Sequence, residues 1–161
     1  KGKFEDVDIS KIVNMVHDAD IEVIANYLFG LPGDDYASMQ RTLDLSLELC
    51  TMAWNAYAVM ALPGSSLYKQ ALAKGYQLPD SYLGYSFHSK DTLPLPTDHL
   101  KPYQVLEFRD KAFNIYHSDP KFLKKVENKL GPAAKTNIQE LTKIKLKRNI
   151  VDNRINLNEI P

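Results

Sequence analysis

The chain has a single cysteine, Cys50, which excludes a disulfide within the chain and any site that needs several thiolates. The chain also has no excess of charge of either sign. Its 20 Lys and Arg residues balance 20 Asp and Glu residues, so no overall electrostatic field recruits nucleic acid or an anionic membrane. No apolar run reaches membrane-spanning length, and no signal peptide is visible. These absences predict an ordinary globular domain in a reducing cytoplasm, with neither nucleic acid nor a membrane as partner.

Residues that carry chemistry are sparse as well. The four histidines show no i, i+4 spacing and have no cysteine partners, so we expect no metal site from this chain alone. No Ser-His-Asp arrangement is present, and Cys50 lies on an apolar helical stripe that predicts a core position. The adjacent Arg109 and Asp110 predict a surface ion pair. A solvated helix face is expected from the basic residues near the carboxyl terminus: Lys143, Lys145, Lys147 and Arg148.

Helical and strand patterns alternate over the first half of the chain. Asp8 is placed to cap a short amphipathic helix, and the apolar run over residues 21–29 reads as a strand buried on both faces. A second helix follows, capped by Asp34 or Asp35, then a second strand over residues 53–61 and a short helix capped by Ser65 or Ser66. This order predicts an α/β fold with parallel strands.

The amino-acid composition changes after Gly75. Residues 77–100 are rich in proline, tyrosine and serine, which predicts a long loop across the surface. Three helices are expected over residues 101–150, because Pro102, Pro120 and Pro132 each suit the first turn of a helix. Residues 151–161 predict a weakly structured tail.

The two predicted strands end in similar turns, Gly30-Leu31-Pro32-Gly33 and Leu62-Pro63-Gly64-Ser65. Ligands bind at the carboxyl ends of parallel strands, where glycine removes a side chain that would block close approach. These residues can equally serve only to end the strands. The polar Asn26 within the first strand has the same two interpretations, a structural hydrogen bond to a neighbouring strand or loop, or contact with a ligand hydroxyl.

Two segments carry a resemblance to a known family. The stretch ANYLFGLPGDDYASMQRTLDLSLEL, followed by AYAVMALPGSSLY, resembles the later half of radical S-adenosylmethionine enzymes of the cobalamin-binding-domain type, which include the anaerobic magnesium-protoporphyrin ester cyclases. The helical segment from Leu106 to Gly131 is similar to the extension that follows the barrel in this group, so the resemblance covers about residues 1–150. The matching residues are Asn26, Phe29, Gly30, Leu31, Pro32, Gly33, Ser38, Met39, Thr42, Leu43, Pro63, Gly64, Leu67 and Tyr68.

The resemblance implies a fold and a set of cofactors. Residues 1–76 would form the carboxyl-terminal part of a partial TIM-type (β/α) barrel, and residues 101–150 its helical extension. Asn26 would reach the ribose of S-adenosylmethionine, Leu28 and Met60 would meet the adenine, and Gly30 would permit close approach. Phe29 and Leu62 complete the implied cofactor-binding set, with no catalytic residue or metal ligand assigned. The full enzyme would also hold a 4Fe-4S cluster, and the use of cobalamin stays open.

Two departures from the family pattern matter. Asp34 replaces a common glutamate, which keeps the charge, but the Cys-x-x-x-Cys-x-x-Cys motif that holds the cluster is absent. We therefore expect the carboxyl-terminal part of a longer enzyme, inactive alone and prone to self-association through an exposed sheet edge. The complete enzyme would cleave S-adenosylmethionine reductively and act by radical chemistry, such as cyclisation or methylation, on a small-molecule substrate that the sequence does not identify.

Two other functions remain open on the residues alone. The chain can be a non-catalytic α/β interaction module, complete in itself. It can also be a nucleotide-binding domain that uses the turn over residues 30–35 as an anion cradle. Asp34 and Asp35 would repel phosphate, however, and no lysine follows in the P-loop spacing, so this last alternative is the weakest.

Overall fold

The computed structural model describes residues 6–153 and has an α/β fold in which two parallel strands pair side by side. The α-β-α-β-α order and the parallel pairing confirm the predictions. Within the described residues these two strands are the whole sheet, and a closed barrel is not seen. The elements in chain order are α1 (Ile9–Asp18), β1 (Ile24–Phe29), α2 (Tyr36–Leu49), β2 (Ala53–Ala58), α3 (Ser66–Ala73), a 3₁₀ turn (Tyr82–Tyr85), α4 (Pro102–Ser118), α5 (Pro120–Leu130), α6 (Pro132–Leu141) and α7 (Asn149–Asp152).

Both strands are shorter than predicted, because each needs the other as a partner. The register pairs Ile24 with Ala53 and Phe29 with Ala58, so residues 21–23 extend before β2 has begun. At the other end β1 turns away at Gly30, where φ is 87°. Val59 still donates its amide to the carbonyl of Phe29 at 2.9 Å, and residues 60 and 61 then continue past the end of β1.

Local capping determines where most helices begin. Asp8 accepts a hydrogen bond from the backbone of α1, as predicted, and Asp119 accepts two from the backbone of α5. Where the sequence offered two candidate caps, the structure shows that Asp35 caps α2 and Ser65 caps α3. Proline occupies the first turn of all three predicted later helices, which are α4, α5 and α6. A fourth, α7, is too short to have been predicted from periodicity.

The hydrophobic core lies on one face of the sheet only. Alternation along the strands turns the same face of both toward α2 and α4. Its largest fully buried members are Phe29, Met39, Leu43, Leu106 and Tyr116. The other face carries Ile24, 68% exposed, and Leu28, 49% exposed, so the prediction of a strand buried on both faces is wrong for the described chain.

The segment over residues 77–100 is more closely packed than a surface loop. Its second half buries Thr92, Pro94, Leu95, Thr97 and Leu100. The amide of Leu95 donates to the carbonyl of Val59 at 3.0 Å, and the amide of Asp98 donates to that of Pro32 at 2.7 Å. The segment is thereby fixed against the chain that follows each strand.

Two predictions about charged side chains are wrong in part: the Arg109–Asp110 pair is not on the surface, and Arg148 is not solvated, although Lys143, Lys145 and Lys147 are exposed as predicted. Arg109 does pair with Asp110, at 3.0 Å, but it is only 8% exposed and not on the surface, because it also reaches inward to the carbonyl of Ala56. Arg148 is 2% exposed, since α6 ends at Leu141 and the chain then returns to α4, where the guanidinium pairs with Asp110. Of the predicted tail, residues 154–161 lie outside the described residues.

Candidate functional site on the open face of the sheet

The exposed face of the sheet, here called the open face, consists of Ile24, Asn26 and Leu28 from β1 with Asn55 and Tyr57 from β2. The parallel register sets Asn26 beside Asn55 and Leu28 beside Tyr57. The ring of Tyr57 also contacts Phe87, with 4.8 Å between the ring centroids. Polar amides, a phenol and apolar side chains therefore share one accessible surface.

Asn26 is held by its neighbours on β2. Its Oδ1 accepts hydrogen bonds from Asn55 Nδ2 at 3.2 Å and from the Tyr57 hydroxyl at 3.4 Å. These are the bonds to a neighbouring strand that the structural interpretation expects, although Asn26 is exposed rather than buried. Because the oxygen is engaged, the amide orientation is fixed, and within residues 6–153 Nδ2 has no hydrogen-bond partner. That nitrogen is available as a donor to a ligand.

The acidic turn after β1 is organised by Asp34. One carboxylate oxygen accepts from the amides of Gly30 at 3.0 Å and Leu31 at 2.9 Å. The other accepts from the Ser38 hydroxyl at 2.7 Å. Asp35 caps α2, and the hydrogen bond from the backbone of Ser38 holds the pKa of its carboxyl below the ordinary value. The turn uses its own amides internally, which argues against an anion cradle at this position.

The packing of the chain itself explains why position 30 is a glycine. A Cβ on this residue would lie 2.5 Å from Cγ1 of Val105, and its φ of 87° is unfavourable for a residue with a side chain. The close approach that Gly30 permits here is that of α4. Its predicted role beside an adenosyl group stays a prediction.

The other predicted site residues are dispersed. Phe29 is completely buried, facing Phe108 in the core, and its carbonyl accepts from the amide of Val59 at 2.9 Å. Met60 is buried at 8% exposure, whereas Leu62 is 51% exposed and donates its amide to the carbonyl of Met60 at 3.0 Å. The structure therefore brings together only Asn26 and Leu28 as side chains of one surface.

Asn55 and Tyr57 were missed by the sequence-based site prediction. The signal was present in the run AWNAYA, where strict alternation sets both residues opposite Trp54 and the small alanines. Had the parallel register been known, Asn55 would have been placed beside Asn26.

The described part of the chain offers no evident metal centre. No group of three or more His, Cys, Asp or Glu residues gathers within residues 6–153. Cys50 is buried at the end of α2, and burial raises the pKa of its thiol. Over the same residues, no helix has both the length and the apolarity needed to cross a bilayer.

Comparison with protein-family models, with curated proteins and with solved structures finds no match to this chain. The resemblance described above therefore depends on its motif residues alone. What it implies about function is a proposal.

Proposed function

We propose that this chain supplies two neighbouring strands and the helical extension of a radical S-adenosylmethionine enzyme. The observation that carries the proposal is the one-sided burial of the parallel sheet. In a (β/α) barrel, helices cover the outer face of each strand and the other face turns inward. Here α2 and α4 cover one face, and the open face bearing Asn26 and Leu28 would be the interior one.

The open face suits an adenosyl group in its chemistry. Asn26 combines an anchored oxygen with an unpaired Nδ2, which would donate to a ribose hydroxyl. Leu28, 49% exposed, would offer an apolar surface to the adenine. The neighbouring Tyr57 would limit how far the Asn26 side chain can turn, because its hydroxyl is bonded to the same oxygen.

A 4Fe-4S cluster does not fit this chain. Cys50 is its only thiol and is buried, whereas such a cluster needs several thiolates. A cluster would have to be held by cysteines outside these 161 residues, and it would supply the electron that cleaves S-adenosylmethionine.

Titration calorimetry with S-adenosylmethionine tests the proposal in the complete product of the gene. Replacing Asn26 with Leu keeps the volume and removes the amide donor, so affinity should fall by about 1–3 kcal/mol, roughly five- to a hundredfold. Asn14→Leu, at an exposed position on α1, is the control and should bind as the parent does. Unchanged affinity in Asn26→Leu, together with a lowered melting temperature, would give Asn26 a structural role only.

The open face also supports the alternative of a non-catalytic interaction module. Ile24 and Leu28 are apolar and exposed, as the residues at a protein interface are before the partner binds. The calorimetric titration separates the two functions. A complete gene product that does not bind S-adenosylmethionine would favour the interaction module.

A further inference from the structure

A second candidate site lies between α4 and residues 141–152. A cavity of about 750 Å³ is found there, within the range that holds small organic ligands. None of the open-face residues lines it. Its apolar lining includes Phe113, Leu141, Ile144, Leu146 and Val151, of which Leu141 and Ile144 are more than half exposed.

The charged groups around this cavity are mostly cationic. Five basic side chains line it, against three acidic ones. Asp110 is already committed, since it accepts from Arg109 at 3.0 Å and from Arg148 at 2.8 Å. Lys145 has no carboxylate within 4.0 Å in the described part of the chain. Lys143 pairs with Glu140, which lies outside the lining, at 2.6 Å, and Lys111 pairs with Glu107 at 3.6 Å. Lys145 is therefore the lining cation whose charge no acidic residue of the described chain neutralises.

Arg109 gives the cavity an oriented donor. Its side chain is 9% exposed, with Nε donating to the carbonyl of Ala56 at 2.9 Å and Nη1 to Asp110. Those two bonds fix the plane of the guanidinium. Across residues 6–153 no acceptor pairs with Nη2, which is left to meet a ligand in the cavity that Arg109 lines.

The wall opposite α4 is held in place by Arg148. Its guanidinium bonds to both carboxylate oxygens of Asp110, to the carbonyls of Phe87 and Ser89, and to the Thr92 hydroxyl, all at 2.8–3.0 Å. Because every nitrogen of the guanidinium already donates a hydrogen bond within the chain, Arg148 shapes the cavity and is not free to bind a ligand.

The geometry points to a binding site for a small amphipathic carboxylate in this cavity. The apolar body would lie against Phe113 and Ile144, and the carboxylate would meet Arg109 and Lys145, with Lys143, paired to Glu140, adding positive charge at the rim. The site would be independent of the adenosyl site proposed above. Its test therefore needs neither S-adenosylmethionine nor a cluster.

Octanoate is a suitable probe, titrated into the ¹⁵N-labelled 161-residue chain and followed by amide chemical shifts. Saturable shifts should be confined to α4 and residues 141–152. Octylammonium, with the same chain and the opposite charge, should bind at least about tenfold more weakly. The double variant Lys143→Glu/Lys145→Glu should weaken octanoate binding about tenfold.

The matched control is Lys11→Glu/Lys69→Glu, which changes the net charge equally at exposed positions on α1 and α3. It should bind octanoate as the parent does. Shifts centred on the open face, equal binding of octylammonium, or equal weakening in both double variants would each overturn the assignment. Lack of saturable binding by the parent chain would overturn it as well.

Discussion

At the scale of single residues, Gly30 and Gly64 are a natural pair for comparison. Both have a φ of 87°, but a Cβ at Gly30 would meet Val105, whereas a Cβ at Gly64 would meet no atom within 4 Å. A side chain at either position would therefore have the same backbone penalty. At position 30 it would also clash with the fully buried side chain of Val105.

Gly64→Ala should lower the free energy of unfolding by about 1–2 kcal/mol, the cost of a left-handed residue. Gly30→Ala should lower it by about 3–4 kcal/mol, because overpacking adds to that cost. Urea unfolding of the two variants measures the difference. Equal losses would show that α4 does not require a glycine at this position.

His117 is expected to make stability depend on pH. Burial lowers the pKa of this imidazole, with a smaller contribution from Arg109, while the ring donates Nδ1–H to the carbonyl of Phe113 at 2.8 Å. The folded chain thus takes up its proton at lower pH than the unfolded chain does. The free energy of unfolding should fall as pH drops through about 6.5, the ordinary histidine pKa.

Urea unfolding at about pH 7.5 and about pH 5.5 checks this sign. His117→Phe should reduce the loss on acidification, and the control His99→Phe, at an exposed position, should not. Part of the loss should persist in His117→Phe, because burial and Lys125 also lower the pKa of His17. A loss that is unchanged in His117→Phe would contradict the assignment.

At the scale of elements, the chain after α6 is fixed by Arg148. This one side chain joins residues 87–92 of the long loop to Asp110 on α4, and Asn149 adds a bond from its amide to the carbonyl of Lys90 at 2.9 Å. The loop, α4 and the segment that ends in α7 are therefore connected by polar bonds, in addition to the packing of Ile150 and Val151 against the core.

Arg148→Lys should destabilise the chain by about 2–4 kcal/mol despite keeping the charge, because an ammonium cannot reproduce the planar fork of bonds. Lys147→Arg, the reverse exchange at the exposed neighbouring position, should leave stability unchanged. Thermal unfolding of the two variants decides the matter. An Arg148→Lys chain as stable as the parent would mean that the charge alone suffices.

How well each element could be predicted depends on whether the interactions that fix it are local or distant along the sequence. Asp8 and Ser65 cap helices through residues three positions along the chain, so sequence patterns identified these starts. Arg148 finds its partners 38 to 61 residues away, a distance that no local pattern carries. The basic residues near it therefore suggested a solvated helix face, which holds for the exposure of Lys143, Lys145 and Lys147 but is wrong for Arg148 and for the helix, which ends at Leu141.

At the scale of the whole molecule, the sheet is covered on one side only. Ile24 and Leu28 made β1 look buried on both faces, since their apolarity continues that of the core residues Tyr27 and Phe29. The parallel pairing could be predicted from the alternation of elements. The exposure of the open face could not be predicted, because an apolar strand pattern does not show whether another element covers that face.

The chain is expected to self-associate through this surface. Light scattering should give a mass that rises with protein concentration, since two strands leave exposed apolar side chains and a free edge. Ile24→Lys/Leu28→Lys should shift the mass toward that of the monomer. The control Leu72→Lys, at a 56% exposed position on α3, should not. A monomer mass for the parent at every concentration would refute this expectation.

The central claim is that these strands belong to a radical S-adenosylmethionine enzyme. Its most direct test is the nucleotide sequence that precedes the codon for Lys1 in the gene. We predict an open reading frame that continues upstream and encodes a Cys-x-x-x-Cys-x-x-Cys motif, which would supply the cluster thiolates that Cys50 alone cannot. A start codon directly before Lys1, or an upstream frame without that motif, would contradict the claim.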